Sequence, residues 1–123
     1  MKFEQLSKEI IGCAIEVHKN IGPGMLESAY EECLAYELKQ KGLNFERQKP
    51  VAVHYKEIKL DCGYRIDLLV ENQIVLELKS IESLSKIHTA QILTYMRFAN
   101  IRKGLIINFN VTMLKNGIKR FVL

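Results

Sequence analysis

The chain has 123 residues, 48% hydrophobic and 26% charged, with 18 Lys and Arg against 14 Asp and Glu and a formal charge of +4. That size suits a single domain over residues 1–123 with a core that needs no metal or disulfide staple; the apolar content excludes intrinsic disorder, and seven Gly with two Pro exclude a fibrous protein. No run approaches the roughly 20 apolar residues of a membrane span, and Glu4 lies where a secretory signal would be apolar, so the expected location is the cytoplasm.

From Phe3 to Ile21 the residues Phe3, Leu6, Ile10, Cys13, Ala14, Val17 and Ile21 recur at the spacing of an amphipathic helix, which Gly22-Pro23-Gly24 ends. A second helix follows with Leu26, Tyr30, Cys33, Leu34 and Leu38 on one face and Gly42 placed as its terminating glycine. After Phe45 come short β-type runs at Val51 to Tyr55, Ile58 to Leu60, Tyr64 to Val70 and Ile74 to Leu78. Ser83 or Ser85 caps a third helix running to about Ala99, with Ile87, Ala90, Leu93, Met96 and Ala99 spaced for burial and Asn100 closing it. Gly104 to Phe109 reads as a buried strand, and Asn116-Gly117 as a hairpin turn into a last strand, Ile118 to Val122. The coarse order is α, α, β, β, β, α, β, β: helices on a mixed sheet, with a crossover through the third helix that makes the strands before and after it parallel. Cys13, Cys33 and Cys62 form no Cys-x-x-Cys pair and read as reduced, Cys13 and Cys33 as small apolar residues.

The chemistry concentrates in Tyr64 to Lys79. If residues 71–73 form the loop of a hairpin, Val70 pairs with Ile74 and Asp67 lies opposite Glu77. Alternation then places Arg65, Leu69, Val75 and Lys79 on the face of the two acids, and Ile66, Leu68, Val70, Ile74, Leu76 and Leu78 on the other. Carboxylates with Cβ atoms about 5 Å apart repel one another. A divalent cation such as Mg²⁺, which favours a few carboxylate oxygens plus water and phosphate, is one reason to place them there, with Lys79 beside them to orient a water or offset charge on a phosphate. The alternative is a solvent-facing lattice in which Arg65 and Lys79 neutralise Glu77 and Asp67 diagonally, with no metal.

Asp67, a short gap and Glu77-Leu78-Lys79 resemble the Asp…Glu-x-Lys signature of the PD-(D/E)XK nuclease superfamily. The segment Gly24-Met25-Leu26-Glu27-Ser28-Ala29-Tyr30 is similar to the motif of the small GxxExxY proteins placed in that superfamily, as are Val17-His18, Asn108-Phe109-Asn110 and Gly117 to Arg120. The resemblance spans nearly the whole chain. It implies a restriction-endonuclease-like αβββαβ core, a mixed central sheet flanked by helices, with an extra N-terminal helix and C-terminal strand. It further implies Mg²⁺ (or Mn²⁺) held by Asp67, Glu77 and the backbone carbonyl of Leu78, and Lys79 as the catalytic lysine. Glu27 would join the metal site directly or through water, and Gln91 would line it; Tyr95, His88 and Tyr30 are secondary candidates. Ile66 stands where the superfamily's name has Pro. Independently, the helical wheel puts Glu27 between Leu34 and Leu38, an acid facing the sheet, while His18 and His54 read as structural.

Residues 1–62 carry nine Lys and Arg against ten Asp and Glu, and residues 63–123 nine against four, so the positive charge is one-sided. Beside an acidic site this suits phosphate binding. No aromatic platform for stacking bases is evident, so a grip on the nucleic-acid backbone is expected rather than base reading. The implied function is metal-dependent endonucleolytic hydrolysis of DNA or RNA by a metal-activated water. The alternative is a non-catalytic nucleic-acid- or protein-binding module on the same fold; a homodimer is a further expectation.

Overall fold

The computed structural model describes residues 2–123. Helix α1 (Phe3–Ile21) turns Leu6, Ile10, Cys13, Ala14 and Val17 inward, as its spacing predicts. It stops at Gly22, whose φ of 67° is the left-handed backbone that favours glycine. Helix α2 (Glu27–Gln40) buries Tyr30, Glu31, Leu34, Ala35 and Leu38. The expected face is therefore rotated: Leu26 is an exposed flanking residue, Cys33 is only half-buried, and a carboxylate takes a place on the buried side.

Seven strands follow in two sheets. Strands β1 (Phe45–Pro50), β4 (Arg65–Val70), β5 (Ile74–Lys79), β6 (Lys103–Asn108) and β7 (Ile118–Val122) form a mixed sheet in the order β1-β4-β5-β6-β7. Strands β2 (Val53–Tyr55) and β3 (Ile58–Leu60) form a separate antiparallel ribbon. This corrects the strand reading at one point. The strand beside β4 is Phe45–Pro50, not the apolar run from Val51. Glu46, Arg47, Gln48 and Lys49 hide it from hydrophobic patterning, because an edge strand is held by its backbone while its side chains stay in water.

The β4–β5 hairpin has the expected register, with Val70 opposite Ile74 and Leu69 opposite Val75. Glu71 and Asn72 both take positive φ, and the Gln73 N–H donates to the Val70 carbonyl at 2.9 Å, closing a tight turn. Helix α3 (Lys86–Ala99) then carries the chain back so that β6 runs parallel to β5, Glu77 beside Ile106 and Lys79 beside Asn108. Ser85 and Asn100 bound the helix as expected. Its buried stripe is Ile92, Tyr95 and Met96, however, so Ile87 and Ala90 face outward. Asn116 and Gly117 belong to a single-turn 3₁₀ helix (Leu114–Gly117) rather than a hairpin turn. A Cβ on Gly117 would collide with the Asn108 carbonyl oxygen, which only glycine avoids.

The sheet separates two apolar layers. Helices α1 and α2 pack with Leu68, Val70, Ile74, Leu76, Leu78, Leu105 and Ile107, while α3 packs with Leu69, Val75 and Ile106 on the opposite face. Ile66 breaks the expected alternation by joining Val51, Ile92 and Tyr95 on the α3 side. Of the cysteines, Cys13 is buried, Cys33 half-buried and Cys62 exposed, and all three are free. No helix among the described residues is long and apolar enough to cross a membrane.

Candidate active site

The paired ladder between β4 and β5 stops at Leu68 and Leu76. One residue further along each strand, the two acids replace the missing cross-strand bonds. The Asp67 N–H donates to Glu77 Oε2 at 2.9 Å, and the Leu78 N–H donates to Asp67 Oδ2 at 2.8 Å. The hairpin thus opens where the acids face each other, and each carboxylate accepts a backbone donor of the opposite strand.

The lattice reading does not describe this place. Glu77 is 5% exposed, and the ion pairs among the described residues join Arg47 to Glu31 and Glu32 and Lys49 to Glu46, with neither Arg65 nor Lys79 in them. Burial, then repulsion from Asp67, pushes the Glu77 carboxyl up to about 8, against weaker opposing help from the Asp67 N–H and Lys79. Burial also raises Asp67, opposed by its bond from Leu78 and by Gln48. Burial therefore weighs against the ionised form at both acids.

Around them the residues singled out from the sequence divide. Glu27 is exposed and its Oε2 accepts the Ser80 N–H at 3.0 Å, just beyond Lys79. The described residues gather no group of three or more His, Cys, Asp or Glu side chains that could hold one ion, so Glu27 is not brought in as a third carboxylate ligand. The acid facing inward is Glu31, 8% exposed, one turn later on the same face. It accepts from Arg47 Nε at 3.0 Å and from Gln48 Nε2 at 2.5 Å, and Gln48 Nε2 also lies 3.3 Å from Asp67 Oδ1. The wheel that points Glu27 at the sheet points Glu31 there too; the missing signal was the polar strand that supplies its partners.

Tyr30 belongs to the scaffold. It is fully buried, stacks on Phe109 with centroids 4.2 Å apart, donates its hydroxyl to the Gly22 carbonyl at 2.6 Å and accepts the Met25 N–H at 3.1 Å. The loop it holds reaches β5, where Ser80 Oγ donates to the Met25 carbonyl at 2.7 Å. From the other side, the Phe109 N–H donates to the Lys79 carbonyl, and Asn108 exchanges bonds with the Ile81 N–H and carbonyl at 3.1 and 3.0 Å. His18, as expected, is structural, with Nε2 2.8 Å from the Val111 carbonyl oxygen.

Lys79 itself enters a groove of about 530 Å³ that it shares with Gln91, Tyr95 and His88 of α3, and with Val53 and Tyr64. Gln91 Nε2 lies 3.0 Å from the Tyr95 hydroxyl, whose pKa is raised by burial and then by Glu77. His88 Nδ1 accepts the Ser85 N–H at 3.0 Å and so caps α3. The Tyr64 and Tyr95 rings lie 6.2 Å apart, an aromatic pair that sequence spacing did not disclose. Of the basic residues in the second half, Lys103 begins β6 opposite Ile74, about 17 Å along the sheet from Lys79, while Lys119 is level with Glu77, two strands across.

A pair of carboxylates, completed by water, suits a hard cation of the Mg²⁺ type, which takes oxygen donors and keeps several waters. A family model described as the PD-(D/E)XK nuclease superfamily matches residues 4–121. Neither the curated proteins nor the solved structures gave a match.

Proposed function

Because the chain belongs to the PD-(D/E)XK nuclease superfamily, we propose that it hydrolyses phosphodiester bonds of DNA or RNA with Mg²⁺ or Mn²⁺ held at the open end of the β4–β5 hairpin. The observation that carries this reading is the pair of the buried Glu77 and the half-buried Asp67, each pKa raised by burial, beside the Lys79 groove. Such a pair costs folding energy that a structural role would not require, and a divalent cation removes the cost by replacing the protons.

Asp67, Glu77 and the Leu78 carbonyl would hold the ion. When bound, it supplies a water of lowered pKa and neutralises charge on the phosphate. Lys79 donates hydrogen bonds to the attacking water or to a non-bridging phosphate oxygen, where the negative charge of the transition state grows. The backbone that follows the Lys79 side chain is held by the Phe109 N–H on the Lys79 carbonyl and by Glu27 on the Ser80 N–H, which anchors the stem of the lysine at the groove wall. Gln91 and Tyr95 shape the opposite wall, and Glu31 positions Asp67 through Gln48.

Purified protein incubated with duplex, branched and single-stranded oligonucleotides in Mg²⁺ or Mn²⁺ should cleave at least one of them. Chelator and Glu77→Ala should each abolish the cleavage. Mg²⁺ should raise the thermal midpoint of wild type more than that of Asp67→Ala. Undiminished cleavage by Glu77→Ala would overturn the assignment; absence of both cleavage and a metal-dependent shift would leave a non-catalytic binding module on the nuclease fold.

A further inference from the structure

The groove that admits Lys79 is largely apolar, and its composition is unlike that of a backbone-gripping surface. Tyr64 immediately precedes the strand that carries Asp67, and its backbone is fixed by the Val51 N–H donating to its carbonyl at 2.9 Å. Its ring is 43% exposed at the groove, while Tyr95, 6% exposed, forms the aromatic layer beside it. Ile87, 71% exposed on the first turn of α3, also lines the groove, and Val53 adds an apolar contact from the ribbon. The polar groups that α3 brings to the groove are the Gln91 amide, whose nitrogen bonds the Tyr95 hydroxyl, the Thr94 hydroxyl, which donates to the Ala90 carbonyl, and the ring of His88, whose Nδ1 is occupied by the Ser85 cap.

A phosphate chain has no use for apolar walls, and a base within a duplex has both faces covered by its neighbours. A base free of its stack has an open π-face and a hydrogen-bonding edge, which match an exposed tyrosine ring, aliphatic lining residues and an amide. The volume is of the size that takes a small organic group rather than a helix or a double strand. We infer that this groove receives one unpaired base of the substrate strand, stacked on Tyr64 against Ile87, next to a phosphate at Lys79. The enzyme is thereby selective for single-stranded, flapped or frayed nucleic acid over intact duplex. The inference rests on the nuclease reading and adds to it the substrate class and two specificity-determining residues, Tyr64 and Ile87.

The test is fluorescence anisotropy of wild type, Tyr64→Ala, Tyr64→Phe and Ile87→Ala with a labelled single-stranded oligonucleotide and with the blunt duplex of the same sequence, in EDTA to prevent cleavage. Wild type should bind the single strand at least tenfold tighter. Tyr64→Ala should lose about tenfold of the single-strand affinity and keep the duplex affinity, while Tyr64→Phe, which retains the stacking face, should match wild type. Ile87→Ala, at an exposed position that does not threaten folding, should lose a few-fold on the single strand alone. A 2-aminopurine at one position of the strand should be quenched by wild type and not by Tyr64→Ala.

Equal affinity for the two substrates, or a single-strand preference unchanged in both alanine variants, overturns the inference. If metal-dependent cleavage sensitive to Glu77→Ala persists in that case, the nuclease reading stands without it. If neither oligonucleotide binds and nothing is cleaved, both fall together.

Discussion

Replacing Glu77 by Gln removes a charge and keeps a carbonyl oxygen where Oε2 accepts the Asp67 N–H. In the folded chain the carboxyl is moved from its ordinary 4.5 to about 8 by burial and by Asp67. Its folded pKa lies above its unfolded one, so its contribution to stability is full below pH 4.5 and is lost as the pH rises to about 8. At about 1.4 kcal/mol per tenfold change in proton affinity, the ionised form costs on the order of 5 kcal/mol above pH 8. Asp67, also raised, adds to the loss in the same direction. An amide cannot ionise, so Glu77→Gln in EDTA should match wild type within about 1 kcal/mol at pH 5 and exceed it by several kcal/mol at pH 8.5, a rise in Tm on the order of 10 °C. Urea titrations at the two pH values measure the difference. With Mg²⁺ at pH 8.5 the wild type should recover stability and the variant should not, while cleavage is lost in the variant. A Glu77→Gln variant less stable than wild type at pH 8.5 in EDTA would refute the reasoning, because it would mean the ionised carboxylate is held favourably by Arg65 or Lys79.

Lys79→Met should lower cleavage by about 100-fold or more at saturating substrate while weakening oligonucleotide binding only a few-fold, checked by single-turnover kinetics beside anisotropy. Tyr30→Phe keeps the stack on Phe109 but leaves the Gly22 carbonyl and the Met25 N–H without their partner; the expected loss is about 1–3 kcal/mol by thermal denaturation. Gly117→Ala should cost more than about 2 kcal/mol, because the added carbon would collide with the Asn108 backbone rather than with a movable side chain. Of the thiols, Cys62 should react first with a disulfide reagent at pH 8, and Cys13, buried and pushed up to about 11, only on unfolding.

Much of this was legible because burial wrote it into the spacing of apolar residues. The three helices, the parallel crossover and the register that brings Asp67 level with Glu77 all follow from apolar periodicity and turn residues. What escaped had no periodic signature. Strand β1 is polar and held by its backbone, so neither it nor the Gln48 bridge to Glu31 could be read. On α3 the expected stripe through Ile87, Ala90, Leu93, Met96 and Ala99 and the observed one through Ile92, Tyr95 and Met96 share Met96, for which Gly104 of the sheet leaves room, and differ in which neighbours turn inward beside it. The Tyr64 and Tyr95 pair joins residues 31 positions apart in sequence, and no local pattern announces it. At the acids, pairing predicted their opposition but not that the strands part there, since that follows from side chains taking over backbone bonds.

The separate β2–β3 ribbon divides the molecule by its tolerance of change. The turn after α1, the end of β5 and the segment after β6 are laced together through Tyr30, Ser80, Glu27 and Asn108, so an inserted residue in any of them would displace Lys79. The ribbon shares no ladder with the main sheet, yet Val53 reaches the groove from it. The Val53–Leu60 excursion can therefore be lengthened, shortened or recomposed to change the groove's wall while Asp67, Glu77 and Lys79 keep their spacing.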